Sequence, residues 1–274
     1  MQKSSDQFPQ RQSKTAALIK SVAFIIVFIL FLVLASQAGQ MLPMLAPGLR
    51  YGILGTLGAL FTAFIFVRFE KQSLAAIGMR WEKRTPLRFI YGILIGVVLF
   101  FFVVSVICLT AGNRLQPVNS VDHAAILLNL IPVFFLALME EIGFRTFPLV
   151  KLEKSHGIII TQFILALLFA VYHILNGWGI AISFMGPFIW SFVFVLSASW
   201  SGGIAIATGI HFALNVMQGL AGVKGNGFSL FSIVPKNEST RSLLSNQSAG
   251  ILAHVLVLLG AIGVTLWYSR SKKK

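Results

Sequence analysis

Long apolar runs separated by short polar or basic stretches dominate the chain. A membrane-crossing helix needs about 20 largely apolar residues. Runs at 18–38, 51–67, 89–111, 124–148, 157–175, 179–198, 203–222 and 249–268 approach or exceed that length. The pattern predicts an all-α polytopic membrane protein of about eight spans enclosing a polar cavity. The links "NGWG" and "SWSGG" are short and uncharged, so the fifth to seventh spans have the least marked boundaries. The first run is longer than a typical signal-peptide core and lacks a small-x-small cleavage site. It reads as a span, and an uncleaved signal-anchor has the same appearance. No internal repeat of the kind that marks many transporters is visible.

Composition supports this reading. Hydrophobic residues make up 57% of the chain and charged residues 11%, far from the roughly one-quarter charged of a soluble domain. The net charge of +14 is spread between the apolar runs, which speaks for topology signals rather than a nucleic-acid surface. With eight spans, seventeen Lys and Arg fall on the side of the termini and five on the other, which predicts cytoplasmic N- and C-termini. The domain plan is a basic tail (1–17), one transmembrane domain (18–268) with its core near 124–222, and a basic end (269–274). The 68–88 loop is basic and amphipathic, with Trp81 as an interfacial anchor. The 223–248 loop, rich in Gly, Ser and Asn, reads as a flexible external connection. The single Cys108 excludes an intramolecular disulfide and reads as packing.

The informative departures are polar groups inside the spans. "MEEIGFRTF" (139–147) places two of the eight acidic residues next to each other at the end of an uncharged run. A carboxylate deep in a bilayer costs about 2.5–3.5 kcal/mol on insertion scales, which marks it as a candidate site. On a helix, Glu141 and Arg145 share a face and suit an ion pair. Glu140 points about 100° away and is left for chemistry. "FALLFAVYHILN" sets Phe169 and His173 four apart, and "IAIATGIHFALNVM" does the same for His211 and Asn215. A lone membrane His or Asn is usually glue between helices. One carboxylate, two imidazoles and an amide on three spans make a hydrolytic set. His254 has no polar neighbour at helical spacing and is assigned to packing; His123 and His156 are assigned to solvated loops. Asn129 and Pro132 read as a kink with its satisfied neighbour.

The order Glu-Glu-x-x-x-Arg, Phe-x-x-x-His, His-x-x-x-Asn resembles the CPBP intramembrane endopeptidases, also called the Abi or CAAX-protease family. The motif-bearing match covers about 139–222. Thr146 departs from the Gly that usually follows the Arg in that family. The resemblance implies that Glu140 and His173 activate a water and that His211 and Asn215 stabilise the oxyanion. Glu141, Arg145 and Phe169 would support them. It implies a membrane-embedded or lipidated peptide or protein substrate, cleaved in or near the bilayer from a cavity open to the cytoplasm.

No cofactor is expected. The competing mechanism is a zinc or other divalent metal on Glu140, His173 and His211, although the His-Glu-x-x-His spacing is missing. A transporter or immunity-type binding protein using the same polar groups is the rival from another class. The short tail and lack of accessory domains suit a bacterial plasma-membrane protein. The span boundaries leave one conflict: they put His173 about 15 Å from the depth of Glu140. Either the 145–157 segment dips into the membrane, or the fifth span starts deeper on the cytoplasmic side.

Overall fold

The computed structural model describes residues 13–223, 229–236 and 242–272. Within them lie ten α-helices and one two-stranded ribbon. The helices are α1 (Lys14–Gly39), α2 (Pro47–Phe69), α3 (Thr85–Ala111), α4 (His123–Arg145) and α5 (Phe147–His156). They continue with α6 (Ile158–Leu175), α7 (Ile180–Ser183), α8 (Ile189–Ser201), α9 (Ala205–Leu220) and α10 (Asn246–Ser271). A π-helical stretch, Phe184–Phe188, joins α7 to α8. Seven helical runs are long and apolar enough to cross a membrane, with α4 and α5 counted as one and Ile180–Ser201 as another. The eighth expected span is the 16-residue α9, too short for that criterion. It reaches only about 24 Å and is flanked by α3, α4 and α8. The protein is an all-α, multi-pass membrane protein.

Two faces can be told apart. On one, Lys20 near the start of α1 and Lys151 of α5 both bond Glu70 at the end of α2, and Lys272 bonds Glu153 of α5 at 3.0 Å. Both ends of the described chain therefore lie on this face, where Trp81, Trp200 and Trp267 are exposed like an interfacial belt. On the other, β1 (Asn113–Pro117) pairs antiparallel with β2 (Phe231–Pro235), Asn113 opposite Pro235 and Pro117 opposite Phe231. Asn113 also donates to Asn246 at the start of α10, at 2.7 Å. Part of the expected 223–248 loop is thus ribbon; residues 224–228 and 237–241 lie outside the described residues. So do residues 1–12 of the expected tail and 273–274, and α1 already starts at Lys14.

The basic 68–88 loop packs inward as well as facing outward. It forms one 3-10 turn, Leu74–Ile77, which buries Ile77 completely. Gly78, at φ 82°, then accepts a hydrogen bond from the Ile204 N–H at 3.3 Å. The loop docks on the α8–α9 turn, leaving Trp81 exposed.

The α4–α5 junction resolves the depth conflict. Pro148 has no N–H to carry the ladder of α4 onward and sits in the first turn of a new helix, where that N–H is not needed. The chain breaks at Thr146 (φ −107°, ψ −110°), whose hydroxyl donates to the Ile142 carbonyl at 2.6 Å. Thr146 is fully buried, so the departure noted in the sequence is accommodated. Beyond the break α5 keeps the direction of α4 alongside α1. Phe24 stacks on Phe147 at 5.3 Å and Phe28 meets Phe144 at 6.0 Å, while Lys20 and Lys151 share Glu70. Ten residues of α5 carry the chain about 15 Å further before α6 returns. Tyr172, next to His173, accordingly packs against both Phe28 and Phe144.

Helix α9 is held by close backbone contact with α3. The two run parallel, and a Cβ at Gly92 would stand 2.2 Å from the Ile206 carbonyl, one at Gly209 2.2 Å from that of Phe89. Small residues permit this approach in a membrane bundle. Gly92→Ala is expected to destabilise the bundle by about 1–3 kcal/mol through overpacking. Gly250→Ala, where a Cβ meets nothing within 4 Å, should not. Thermal unfolding in detergent checks both.

A second prediction concerns Glu70. Burial alone would raise its pKa, but Lys151 and Lys20 outweigh that and hold the carboxyl below the usual carboxylate range. A depressed folded-state pKa contributes stability above the unfolded value, which is lost as pH falls through the folded one. Acidification below the usual carboxylate range should lower the wild-type Tm. Glu70→Gln should start lower at neutral pH and fall less.

Candidate active site

Glu140 and Glu141 lie in the last two turns of α4, His173 in the last turn of α6, and His211 and Asn215 on one face of α9. Glu141 is completely buried and Arg145 stands against it, Nε to Oε2 3.5 Å. The pair expected at helical spacing is present. The guanidinium lies 4.2 Å from the Phe169 ring centre, 5.2 Å from Phe194 and 5.6 Å from Phe144. Its Nη2 donates to Ser191 of α8 at 3.0 Å. Stacked aromatic faces suit a weakly hydrated guanidinium in a dry interior.

Glu141 has a second job that sequence spacing did not suggest. Its Oε1 lies 2.8 Å from His211 Nδ1. A carboxylate accepts here, so Nδ1 carries the hydrogen and donates to Glu141. Nε2 is then the ring atom left for chemistry, and it lies 3.6 Å from Glu140 Oε2. Glu140 is therefore not isolated, as expected from the helix alone, but faces His211. Its Oε2 is buried without a hydrogen-bond partner among the described residues, although the side chain retains 13% exposure. Phe194 stacks flat on the His211 ring, centroids 4.6 Å apart and planes 15° apart.

His173 is set by the same device. Its Nδ1 lies 2.8 Å from the Phe169 carbonyl, so Nδ1–H donates to the backbone and Nε2 remains. Phe169 and Trp178 meet the ring edge-on at 4.6 and 4.9 Å. His173 lies within electrostatic reach of Glu140, His211 and Arg145. Phe169, expected on the His173 face, thus serves both His173 and Arg145.

His173, His211 and Asn215 line one cavity of about 440 Å³. Gln218 and His254 add polar groups, but the remaining walls are largely apolar, among them Phe100, Trp178, Trp190 and Phe194. His254 is therefore not confined to packing. Its Nδ1 lies 2.8 Å from the Gly250 carbonyl and its ring 6.0 Å from Trp190, on the edge of the same cavity. His123 is exposed as expected; His156 ends α5 half-buried, against the Ser155 hydroxyl. Asn129 donates to the Ala125 carbonyl one turn before Pro132, in line with the satisfied neighbour of a proline. Sequence reading missed Phe194, Ser191 and Trp178. The first two sit in an apolar span, and nothing in "SFVFVLS" sets them apart.

Among the described residues, no three His, Cys, Asp or Glu side chains converge as a metal ion would require. Both histidines have Nδ1 committed to an acceptor, which leaves Nε2 of each as the free ring nitrogen; no step is routed through a metal below.

The structure is thus a polytopic membrane bundle with a buried acid–histidine cluster beside a largely apolar cavity. Residues 122–217, from the N-cap of α4 through most of α9, match the family model of type II CAAX prenyl endopeptidase Rce1-like. That segment, about a third of the chain, supports the likeness to the CPBP, or CAAX-protease, family. No curated protein matches it.

Removing one member of a buried ion pair strands the other, at about 3–5 kcal/mol. Arg145→Met is expected to cost that much, and Arg145→Met with Glu141→Gln substantially less. A double-mutant cycle on thermal stability measures the difference, and additive losses would refute the pairing.

Proposed function

We propose that the protein is an intramembrane endopeptidase acting on a membrane-embedded or lipidated peptide or protein. Glu140 and His173 activate the water, while His211 and Asn215 bind the oxyanion. The observation that carries the reading is the unpartnered Glu140 carboxylate oxygen 3.6 Å from His211 Nε2, beside a cavity that His173, His211 and Asn215 line. The family match supports peptidase chemistry in general.

The steps follow from the tautomers. Glu140, with His173 Nε2 as a second acceptor, takes a proton from water, and the hydroxide oxygen attacks the scissile carbonyl carbon. The carbonyl π electrons move to oxygen. His211, with Nδ1–H on Glu141, turns Nε2 to that oxyanion and meets it with an N–H once the proton taken from water has passed from Glu140 to Nε2. The Asn215 amide is the second donor. The same proton passes on to the amide nitrogen, the C–N bond breaks, and the remaining hydroxyl proton goes to the amine, so that a carboxylate and an ammonium leave. Glu141 is a positioning residue that fixes which His211 nitrogen faces the substrate. The charge asymmetry of the sequence favours cytoplasmic termini.

Losing a general base costs about 10²–10⁴-fold and one oxyanion donor about 10²–10³-fold. Glu140→Gln, His173→Ala and His211→Ala are expected to lose activity on that scale on a quenched membrane-peptide library, while still inserting and eluting as folded protein. Wild-type cleavage should survive a strong chelator. Full activity in all three variants would overturn the reading, and loss in chelator would point to a metal.

A further inference from the structure

The cavity beside the acid–histidine cluster holds two polar groups that the proposed reaction does not use. Trp190, in the first turn of α8, is 6% exposed, and its Nε1 has no hydrogen-bond partner among the described residues. Buried indole N–H groups usually find a partner, and one left over on a cavity wall is a donor waiting for an acceptor. His254 of α10 supplies the complement. Its Nδ1 lies 2.8 Å from the Gly250 carbonyl, so Nδ1–H donates to the backbone and Nε2 is the acceptor that remains. The two rings meet edge-on, centroids 6.0 Å apart and planes at 82°, and both line the cavity. Trp190 is carried there by the π-helical stretch Phe184–Phe188 just before it, an irregularity frequent at functional sites. His254 is carried there by the packing of α10 on α8 and α3.

We propose that Trp190 and His254 form a subsite for the main chain of an extended peptide. Trp190 Nε1–H donates to the carbonyl of one peptide residue, and His254 Nε2 accepts from the N–H of the same residue. The inference rests on the peptidase reading and says how that substrate is held. In an extended strand the N–H and C=O of one residue point to the same side, which is how a hydrogen-bonded pair in an antiparallel ladder exchanges two bonds. A donor and an acceptor on neighbouring rings therefore imitate one residue of an edge strand, the mode by which extended peptides add to a sheet. Apolar walls, among them Val103, Ile107 and Ile182, are left for the peptide's side chains. Recognition through the main chain leaves the substrate's side-chain sequence open. His173, His211 and Asn215 line the same cavity, and His211 stands 3.6 Å from Glu140. The residue held by the pair thus lies beside the scissile bond, not at it. His254 also falls outside the segment 122–217 that the family model matches, so this contact belongs to the chain's own last helix.

Trp190→Phe removes the donor and keeps an aromatic ring, and His254→Phe removes the acceptor. His254→Gln restores an acceptor oxygen. On a quenched membrane peptide that the wild type cleaves, each Phe variant is expected to raise KM about 5–10-fold with kcat within about twofold. His254→Gln should recover part of the loss. The Tm of Trp190→Phe should hold or rise, because an unpartnered buried donor has gone. An unchanged KM in both Phe variants overturns the subsite, and so does a fall in kcat at constant KM. The pair can also be read without turnover. In protein labelled with ¹⁵N at tryptophan, the Trp190 indole signal is assigned by its loss in Trp190→Phe. Saturation with acetyl-leucyl-leucine N-methylamide, an uncharged peptide, should move that signal downfield, and move it less in His254→Phe. An indole signal indifferent to the peptide overturns the proposal. If the signal moves but the wild type cleaves nothing, the subsite stands and the peptidase reading falls.

Discussion

A single buried cation organises this site. The Arg145 guanidinium has no side-chain exposure, and its charge is met by Glu141 one helical turn earlier. Three aromatic rings on three helices pack around it, and Ser191 takes one N–H. Without it, Glu141 would be a buried carboxylate with only an imidazole for company, an arrangement that low-dielectric surroundings penalise heavily. With it, Glu141 has a cation one turn away and aims its other oxygen at His211 Nδ1. The order Arg145, Glu141, His211, Glu140 is thus a chain of contacts from a structural ion pair to an unpartnered carboxylate oxygen.

The helices serve that chain. The Gly92–Gly209 contact brings α9 against α3 and fixes His211. The break at Thr146, forced by Pro148, lets α5 run on beside α1 without dragging Arg145 out of the aromatic cluster. Glu70 then clamps α5 to α1 and α2 through two lysines. Because α5 carries the chain deeper before α6 returns, His173 reaches the level of Tyr172, Phe28 and Phe144. Local chain chemistry, a proline and a threonine, thereby sets the depth of a residue 25 positions further on.

Much of this was legible in the sequence. Apolar runs locate the seven helical runs long enough to cross and the shorter α9, because the bilayer fixes both length and lack of charge. Helical spacing pairs Glu141 with Arg145, and three weak motifs in order point to the family that residues 122–217 match. What spacing cannot supply is contact between helices. The Glu141–His211 bond joins residues 70 apart, and the aromatic housing of Arg145 draws on Phe194 from a span with no polar marker. The separate helix α5 was hidden because "FPLVKLEKSH" reads as a basic loop; its Lys151 is buried only because Glu70 waits on α2.

The central claim is that Glu141 holds His211 with the hydrogen on Nδ1, leaving Nε2 for the reaction. The most direct test is the ¹⁵N spectrum of protein labelled at histidine, with the His211 signals assigned by their loss in His211→Gln. The account predicts a hydrogen-bonded Nδ1–H on His211 that disappears in Glu141→Ala while the other histidine signals persist. A neutral ring protonated at Nε2, unchanged when Glu141 is removed, would contradict it.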